Sequence, residues 1–516
     1  MAGENRLRRL FLRKPVGQIQ AEQGDLRRSL GALNLVLLGI GSTVGAGIFV
    51  QTGRAAAEFA GPAVIVSFMI TGLLAACVGL CYAELASAVP ASGSAYSYTY
   101  VSMGEGAAWM MGLLLILEYG LAAATVAVGW SGYFASLLGD MGLSLPPSLL
   151  EAPGVPIRDA SGAVIGTGGL NLPAMAVIGV LTLLLLRGVS QSAVANNIIV
   201  GVKLTVILLF IAIGAHYVHP ALWTPFVPPE VPARAPGSNE DFLHQLGRAL
   251  LDVITADNSR RYGIGGVIHA AAIVFTAYLG FEAVSTAAAE ARNPAKDMPI
   301  GILGALIICI TLYVATSAVL VGIVPYQSLD NAAPLSIAVN RIGLPWFAVL
   351  VKIGAIAGLS SVMLVSLYGQ TRIFYAMARD GLLPDCFAKI ESASRTPRIN
   401  TLIVGVLTMS AAGLLSLASI VELTAVGALA AFALVCVTAI YLRLTHPELP
   451  RPFRTPLFPL VPILGASMCL LVLMSLMATP ATRRFFLIYL MIGSVGYFAY
   501  GIRHSKLAAA DARRDG

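Results

Sequence analysis

Four ionisable side chains lie inside long apolar runs of this 516-residue chain: Glu118, Lys203, Glu282 and Lys352. A charge in the hydrocarbon core of a bilayer is costly, so such residues mark ion, proton or substrate pathways unless they serve in structural pairs. Lys203 lies in the middle of its run, where desolvation favours the neutral amine, so it is a candidate proton carrier. Its alternative role is a structural ion pair with Glu118 or Glu282. Lys352 lies nearer the end of its run, where a functional role and outward snorkelling fit equally well.

A glycine-rich run between Gly39 and Gly53 is the second feature that could contribute to a functional site, and its sequence is GIGSTVGAGIFVQTG. Five glycines in fifteen residues disfavour a continuous helix. One interpretation is close helix packing through the GxxxG pair of Gly41 and Gly45. The other is a helix that unwinds inside the membrane, which is tolerated where the free backbone lines a cavity. A nucleotide-binding interpretation fails because no βαβ unit surrounds the glycines.

The composition indicates the element type that must position these residues. Hydrophobic residues make up 57% of the chain and charged residues 11%, and the mean hydropathy is +0.81. Soluble domains have about 45–50% apolar and about 25% charged residues. The chain is therefore predicted to be an all-α integral membrane protein. Its net charge of +7 is distributed between the apolar runs, so no nucleic-acid partner is expected.

Twelve apolar segments are long enough to be membrane-spanning helices, which need about 20 residues each. They are 31–53, 61–89, 106–138, 172–188, 190–218, 264–291, 298–324, 345–378, 400–418, 421–445, 458–478 and 485–503. With a cytoplasmic N-terminus, 22 Lys and Arg residues fall on the inner side and 9 on the outer side. This bias predicts twelve spans with both termini in the cytoplasm.

Segments 1 and 6 hold matching places in two sets of five, and segment 6 is interrupted at Gly280, beside Glu282. Paired interruptions at matching places indicate an inverted-repeat secondary transporter. The predicted organisation is a basic cytoplasmic segment (1–30), a ten-helix transport core (31–445), two peripheral helices (446–503) and a cytoplasmic tail (504–516).

Neither an enzyme nor a channel is favoured by the remaining residues. The six histidines are scattered, and the six cysteines lack metal-ligand spacing and are interpreted as reduced packing residues. No metal and no cofactor are therefore expected. A channel would need a repeated filter segment or a ring of like charges, and the sequence contains neither.

Five runs in order along the chain carry a family resemblance. They are GIGSTVGAGIFVQTG, YAELASAVPASGSAYSYTY, ILEYGLA, FTAYLGFEAVSTAAAEARNPAKDMPIGI and LVSLYGQTRIFYAMARDGLLP. They resemble the amino acid–polyamine–cation permease superfamily, and within it the cationic amino acid transporter branch and its bacterial relatives. The resemblance covers roughly residues 30–445. It implies ten helices in two inverted five-helix repeats plus two peripheral helices, with helices 1, 2, 6 and 7 rocking against the rest.

The resemblance also implies a binding site for an amino acid. The carboxylate would dock on backbone N–H groups of broken helix 1, which favour an anion, at Thr43, Val44, Gly45 and Gly47. The α-ammonium would meet the carbonyl groups of Ile40, Phe275, Thr276 and Tyr278. The side-chain pocket would include Glu118, Ser360 and Ser361. Two departures from the family pattern are Thr276, where relatives usually carry an aromatic cap, and Glu282, where they carry Asp.

Related transporters keep a sodium site between helices 1 and 8, and in proton-coupled members a lysine of helix 5 resembles a replacement for that cation. Lys203 falls at this position, and its ammonium is expected to bond carbonyls near Gly41 and a hydroxyl of Ser360 or Ser361. The resemblance thus implies a proton-coupled importer of amino acids in the cytoplasmic (inner) membrane. Small neutral or broad substrates are favoured, and the alternatives are a cationic (arginine or lysine) transporter or an exchanger.

Overall fold

A succession of helices makes up almost all of the computed structural model, which describes residues 9–21, 29–91, 93–158, 164–187, 193–231, 261–391, 396–477 and 479–512. The main helices are α1a (Ala32–Thr43), α1b (Gly47–Gln51, Thr52–Ala55 and Ala56–Ala60), α2 (Val64–Ala88), α3 (Glu105–Asp140), α4 (Leu172–Leu186), α5 (Ala193–Gly214), α6a (Gly263–Val274 with Phe275–Tyr278), α6b (Phe281–Glu290), α7 (Pro294–Ile323), α8 (Pro345–Arg379), α9 (Arg398–Leu414), α10 (Leu417–Thr445), α11 (Leu460–Leu476) and α12 (Pro480–Gly496). Between α3 and α4, strands β1 (Pro156–Arg158) and β2 (Val164–Thr167) form an antiparallel pair, with Pro156 opposite Thr167.

Eight helical stretches of the described residues are long and apolar enough to cross a membrane. They are Ala32–Ala88, Glu105–Asp140, Asn197–Tyr217, Gly263–Ala288, Pro294–Ile323, Pro345–Arg379, Leu417–Thr445 and Pro480–Ala510. The shorter apolar helices α4, α9 and α11 occupy three further predicted segments. The prediction of a helical membrane protein is confirmed, and the count of twelve spans stays a prediction.

Helix 1 is interrupted where the glycine run predicts. Val44 leaves the helical conformation with ψ 91°, and α1b resumes as a π-helix at Gly47. A Cβ atom on Gly47 would lie 2.1 Å from the Cα atom of Ala277, so only glycine allows α1b to approach α6a this closely. Helix 1 therefore unwinds within the glycine-rich run, and the same run also packs closely against α6a.

Helix 6 is interrupted at Leu279 and Gly280. Leu279 is extended, with ψ 139°, and Gly280 is left-handed, with φ +116°. A Cβ atom on Gly280 would lie 2.5 Å from the carbonyl carbon of Ser42, so this glycine touches the end of α1a. The two interruptions therefore meet each other in the middle of the helical core.

The helices around the interruptions pack in a fixed pattern. The most extensive helix–helix interfaces join α3 to α8 and α10, and α2 to α7. Helix α1a packs against α5 and α7. Lys352 of α8 forms a 2.6 Å ion pair with Asp140 at the end of α3, which assigns this lysine a structural partner. On α12, Leu487, Met491 and Ile492 are exposed, as expected for a peripheral helix that faces lipid.

Replacing Gly280 by alanine tests the helix 6 interruption. We expect Gly280→Ala to lower the free energy of unfolding by about 2 kcal/mol or more, because alanine is strained at this φ and its Cβ meets the Ser42 backbone. The measurement is the thermal unfolding midpoint in detergent. Gly201→Ala is the control, since Gly201 lies inside α5 with open space around its Cα. An unchanged midpoint for Gly280→Ala would contradict the steric account.

Candidate functional site

A cavity with about 570 Å³ of empty space, which includes space open to solvent, lies where the two interrupted helices meet. Its walls come from α1, α3, α6, α8 and α10. The lining residues that sequence analysis singled out are Thr43, Gly45, Gly47, Glu118, Thr276 and Glu282. These six residues belong to helices 1, 3 and 6 and are separated by up to 239 residues in the chain. Folding brings them together at one cavity.

The start of α1b gives the cavity its polarity. Gly45, Ala46 and Gly47 line the cavity at the point where α1b begins. The first N–H groups of a helix have no partner within that helix, and the helix dipole adds positive potential there. This geometry suits an anion such as a carboxylate. Val362 of α8 covers the site closely, because a Cβ atom on Gly45 would lie 3.2 Å from both of its methyl carbons.

Ile40, Val44, Phe275 and Tyr278 are not among the residues that line the cavity. The carbonyl oxygen of Ile40 accepts the Val44 amide at 2.9 Å and is thus already used within helix 1. The Tyr278 hydroxyl points away to α2, where it donates to the carbonyl of Phe68 at 2.8 Å. Thr276, Leu279 and Gly280 line the cavity in the wall formed by α6. The Thr276 carbonyl accepts the Leu279 amide at 3.4 Å, and the Gly280 carbonyl accepts the Ser42 hydroxyl at 2.7 Å.

Ser360 and Ser361 also lie outside the cavity lining. Ser361 donates to the carbonyl of Gly358 at 2.8 Å. Ser360 donates to the carbonyl of Ile356 at 2.8 Å and accepts from the indole of Trp130 at 3.0 Å. Both hydroxyl groups are engaged by their own helix, and Ser366, one turn and a half further along α8, lines the cavity instead.

Lys203 reaches the interruption of helix 1 from the side. Its Nζ atom donates to the carbonyl oxygens of Gly41 (2.5 Å) and Val44 (3.1 Å), and the side chain is fully buried. The expected bond to carbonyls near Gly41 is present. Among the described residues, no bond joins Lys203 to Ser360 or Ser361, whose hydroxyl groups donate to carbonyls of their own helix. Within the described residues, Lys203 forms no ion pair with Glu118 or Glu282.

Two tyrosines that sequence analysis did not identify also bond the backbone of helix 1. Tyr313 of α7 donates to the carbonyl of Thr43 at 2.8 Å, and Tyr133 of α3 donates to that of Phe49 at 2.7 Å. Both tyrosines are fully buried. The only sequence signal was a tyrosine inside an apolar run, which is too common to single out a partner.

Two carboxyl groups give the cavity its acidic character. Glu118 is buried, and in the described part of the chain neither of its carboxyl oxygens has a hydrogen-bond partner. The Glu282 carboxyl accepts the Gly280 amide at 2.7 Å. The lining includes no Lys, Arg or His among the described residues. A ligand therefore meets acceptors on the α3 side and helix N–H donors on the α1b side.

Comparison with known proteins identifies the relatives of this chain. The family model described as amino acid permease matches residues 30–497. The methylthioribose transporter of Bacillus subtilis is 42% identical over 500 residues, which are 96% of this chain and 99% of the relative. The branched-chain amino acid permease BcaP of Bacillus subtilis is also 42% identical, over 95% of this chain and 97% of the relative. The vacuolar cationic amino acid transporter 4 of Arabidopsis thaliana is 35% identical, over 85% and 68%.

Removing the hydroxyl of Tyr313 tests how the helix 1 carbonyls are satisfied. We expect Tyr313→Phe to lower the free energy of unfolding by about 1–3 kcal/mol, because the buried carbonyl of Thr43 loses its donor. Thermal unfolding in detergent is the measurement. Tyr82→Phe is the matched control, since the buried Tyr82 hydroxyl has no partner in the described residues. Equal midpoints for the two variants would show that the Thr43 carbonyl does not depend on Tyr313.

Proposed function

The chain belongs to the amino acid permease family, and from this premise we propose that it imports small neutral or a broad range of amino acids by proton-coupled alternating access. The observation that carries the proposal is the meeting of two interrupted helices at one cavity, with Lys203 bonded to the interruption of helix 1. The proposed setting is a cytoplasmic membrane crossed twelve times, with two inverted five-helix repeats and both termini inside.

The proposed pose follows from the polarity of the helix ends. The substrate carboxylate binds the N–H groups at the start of α1b, around Gly45 and Gly47. The α-ammonium binds carbonyl oxygens at the end of α6a, around Thr276, because a carbonyl oxygen can accept a second bond and the end of a helix carries negative potential. The substrate side chain then points towards α3 and α8, where Glu118 and Val362 lie in the lining.

The proposed coupling acts through the bonds of Lys203 to α1. A protonated Lys203 makes charge-assisted bonds to the Gly41 and Val44 carbonyls and holds α1 against α5. Deprotonation leaves a neutral amine whose bonds to these carbonyls are weaker, so α1 is released. Substrate binding at Gly45 and proton binding at Lys203 then act on the same short backbone segment, which links the two events.

The names of two relatives support an amino acid substrate, and the third relative is named for methylthioribose, which is not an amino acid. One is named as a branched-chain amino acid permease, one as a methylthioribose transporter and one as a cationic amino acid transporter. The unpartnered carboxyl group of Glu118 favours a second candidate, a cationic substrate such as arginine or lysine. Exchange of external for internal amino acids is the alternative to symport.

Uptake into proteoliposomes tests the proposal directly. Radiolabelled alanine and arginine are supplied with an inward proton gradient and no sodium. Alanine accumulation that a protonophore abolishes is the expected result. Arginine accumulation would establish the cationic candidate instead, and flux that requires an internal amino acid would establish exchange.

Truncating Lys203 tests the coupling. We expect Lys203→Ala to reduce the proton-driven accumulation of alanine by a factor of about ten or more, because two charge-assisted bonds to helix 1 disappear. Counterflow of labelled alanine against internal alanine, with no proton gradient, is the control for intact binding. A variant that retains the pH dependence of the native protein would refute the proton-carrier role.

Filling the space at Gly45 tests the carboxylate position. We expect Gly45→Val to weaken alanine binding by about 100-fold or more, since the new side chain must displace Val362 and occupy the cavity. Binding is measured by the shift of the unfolding midpoint with ligand concentration. Native affinity in this variant would place the carboxylate elsewhere.

A further inference from the structure

A polar pair crosses from α1b to α6a at the edge of the cavity. The Thr276 hydroxyl bonds the side-chain amide of Gln51, and the two residues line the cavity together. Gln51 is only 3% exposed and lies one turn beyond Gly47 in α1b. Neither the carboxylate site nor the Lys203 contacts use these two side chains, and the proposed ammonium contact around Thr276 is made by backbone carbonyls.

The hydroxyl chemistry of Thr276 fixes the amide in place. Its Oγ1 atom is 3.0 Å from the carbonyl oxygen of Ile273 and also bonds the Gln51 amide. A hydroxyl has one proton, so it donates to one of these groups; if Ile273 takes the proton, the amide N–H of Gln51 donates to Thr276. In both arrangements Thr276 holds one end of the Gln51 amide, and the amide is positioned as part of the cavity wall.

A third uncharged polar group lies on the facing helix. Thr125 of α3 lines the cavity, is 4% exposed, and its Oγ1 atom has no hydrogen-bond partner within the described ranges. It is seven residues, or about two turns, beyond Glu118 and therefore on the same face of α3. Close contact of α3 with α1b keeps the two walls together, since a Cβ atom on Gly129 would lie 2.3 Å from Val50.

A site with a positioned amide and an unpartnered hydroxyl discriminates between substrates of equal shape. A substrate hydroxyl can bond both groups, whereas a methyl group in the same place leaves the Thr125 hydroxyl buried without a partner and makes no bond to the Gln51 amide. Threonine and valine differ in just this way. An aliphatic wall would give the opposite preference, because it offers nothing to replace the water lost by the hydroxyl.

We propose that Gln51, positioned by Thr276, and Thr125 form a subsite for the side-chain hydroxyl of the substrate, so that the protein prefers threonine to valine. This proposal rests on the proposed function of amino acid import and specifies its substrate class as hydroxylated neutral amino acids. Gln51 and Thr125 contact the substrate, and Thr276 is a positioning residue that acts through Gln51.

The test is competition between isosteric substrates in proteoliposomes that hold the full-length protein. Unlabelled threonine and valine compete with radiolabelled alanine, and the ratio of their inhibition constants is the readout. We expect threonine to bind about fivefold to tenfold more tightly than valine in the native protein. We expect Gln51→Leu and Thr125→Val each to bring the ratio close to one.

The remaining variants separate positioning from folding. Thr276→Val is expected to lower the ratio and Thr276→Ser to preserve it, because serine keeps the hydroxyl. Thr424→Val is the matched control within the same cavity, since the Thr424 hydroxyl already donates to the Ile420 carbonyl at 2.7 Å and its loss should leave the ratio unchanged. The unfolding midpoint of each variant identifies any variant that fails to fold. If either Gln51→Leu or Thr125→Val fails to fold, the inhibition ratio of the other variant tests the subsite.

Three results would overturn the subsite. The first is a native protein that prefers valine or whose inhibition constants for threonine and valine are nearly equal. The second is that Gln51→Leu and Thr125→Val both keep the native ratio of these constants. The third is stronger competition by arginine than by threonine. In each case alanine uptake still stands and the proposed import function survives. An absence of uptake of alanine, threonine, valine and arginine under every gradient would overturn the proposed function together with the subsite.

Discussion

The interrupted backbone of helix 1 imposes the constraint on which the site depends. Breaking a helix in an apolar core frees carbonyl groups that water does not reach, and each unpaired group costs several kcal/mol in hydrocarbon. Lys203 takes the carbonyls of Gly41 and Val44, and Tyr313 takes that of Thr43. Three elements of the fold, α1, α5 and α7, are thereby joined at one point. The interruption can exist only because neighbouring helices bring donors to it.

The second constraint is the close approach of the two interruptions. Gly280 touches the end of α1a, and the Ser42 hydroxyl lies 2.7 Å from the Gly280 carbonyl oxygen. Gly47 touches Ala277 on the other side. A side chain at either glycine would separate helices 1 and 6 and open the space between them. The glycines therefore create the cavity in two ways, by letting each helix unwind and by letting the two unwound segments meet.

Sequence analysis predicted the features that depend on backbone chemistry. Glycine content and buried charge identified both interruptions. The bond from Lys203 to the Gly41 carbonyl was expected only from the resemblance to the permease superfamily. The rotation of apolar helices about their axes was not predictable in this way. Helix α8 is apolar on most faces, so its pattern did not distinguish Ser360 and Ser361 from Ser366. Gln51 was missed because a single amide inside the glycine-rich run has no visible partner in the sequence until α6a is packed against α1b.

In the proposed mechanism, coupling passes through the backbone of helix 1. Glu118 and Glu282 line the cavity, whereas Lys203 donates to carbonyls of the α1 segment that runs between Gly41 and Val44. The next residues, Gly45 to Gly47, line the cavity. In the proposed mechanism, the proton binds Lys203, which bonds the carbonyls of Gly41 and Val44, and the substrate binds the residues that follow in the same segment. If proton binding changes the affinity for the substrate by a given factor, substrate binding changes the affinity for the proton by that same factor, because linkage between two binding free energies is reciprocal.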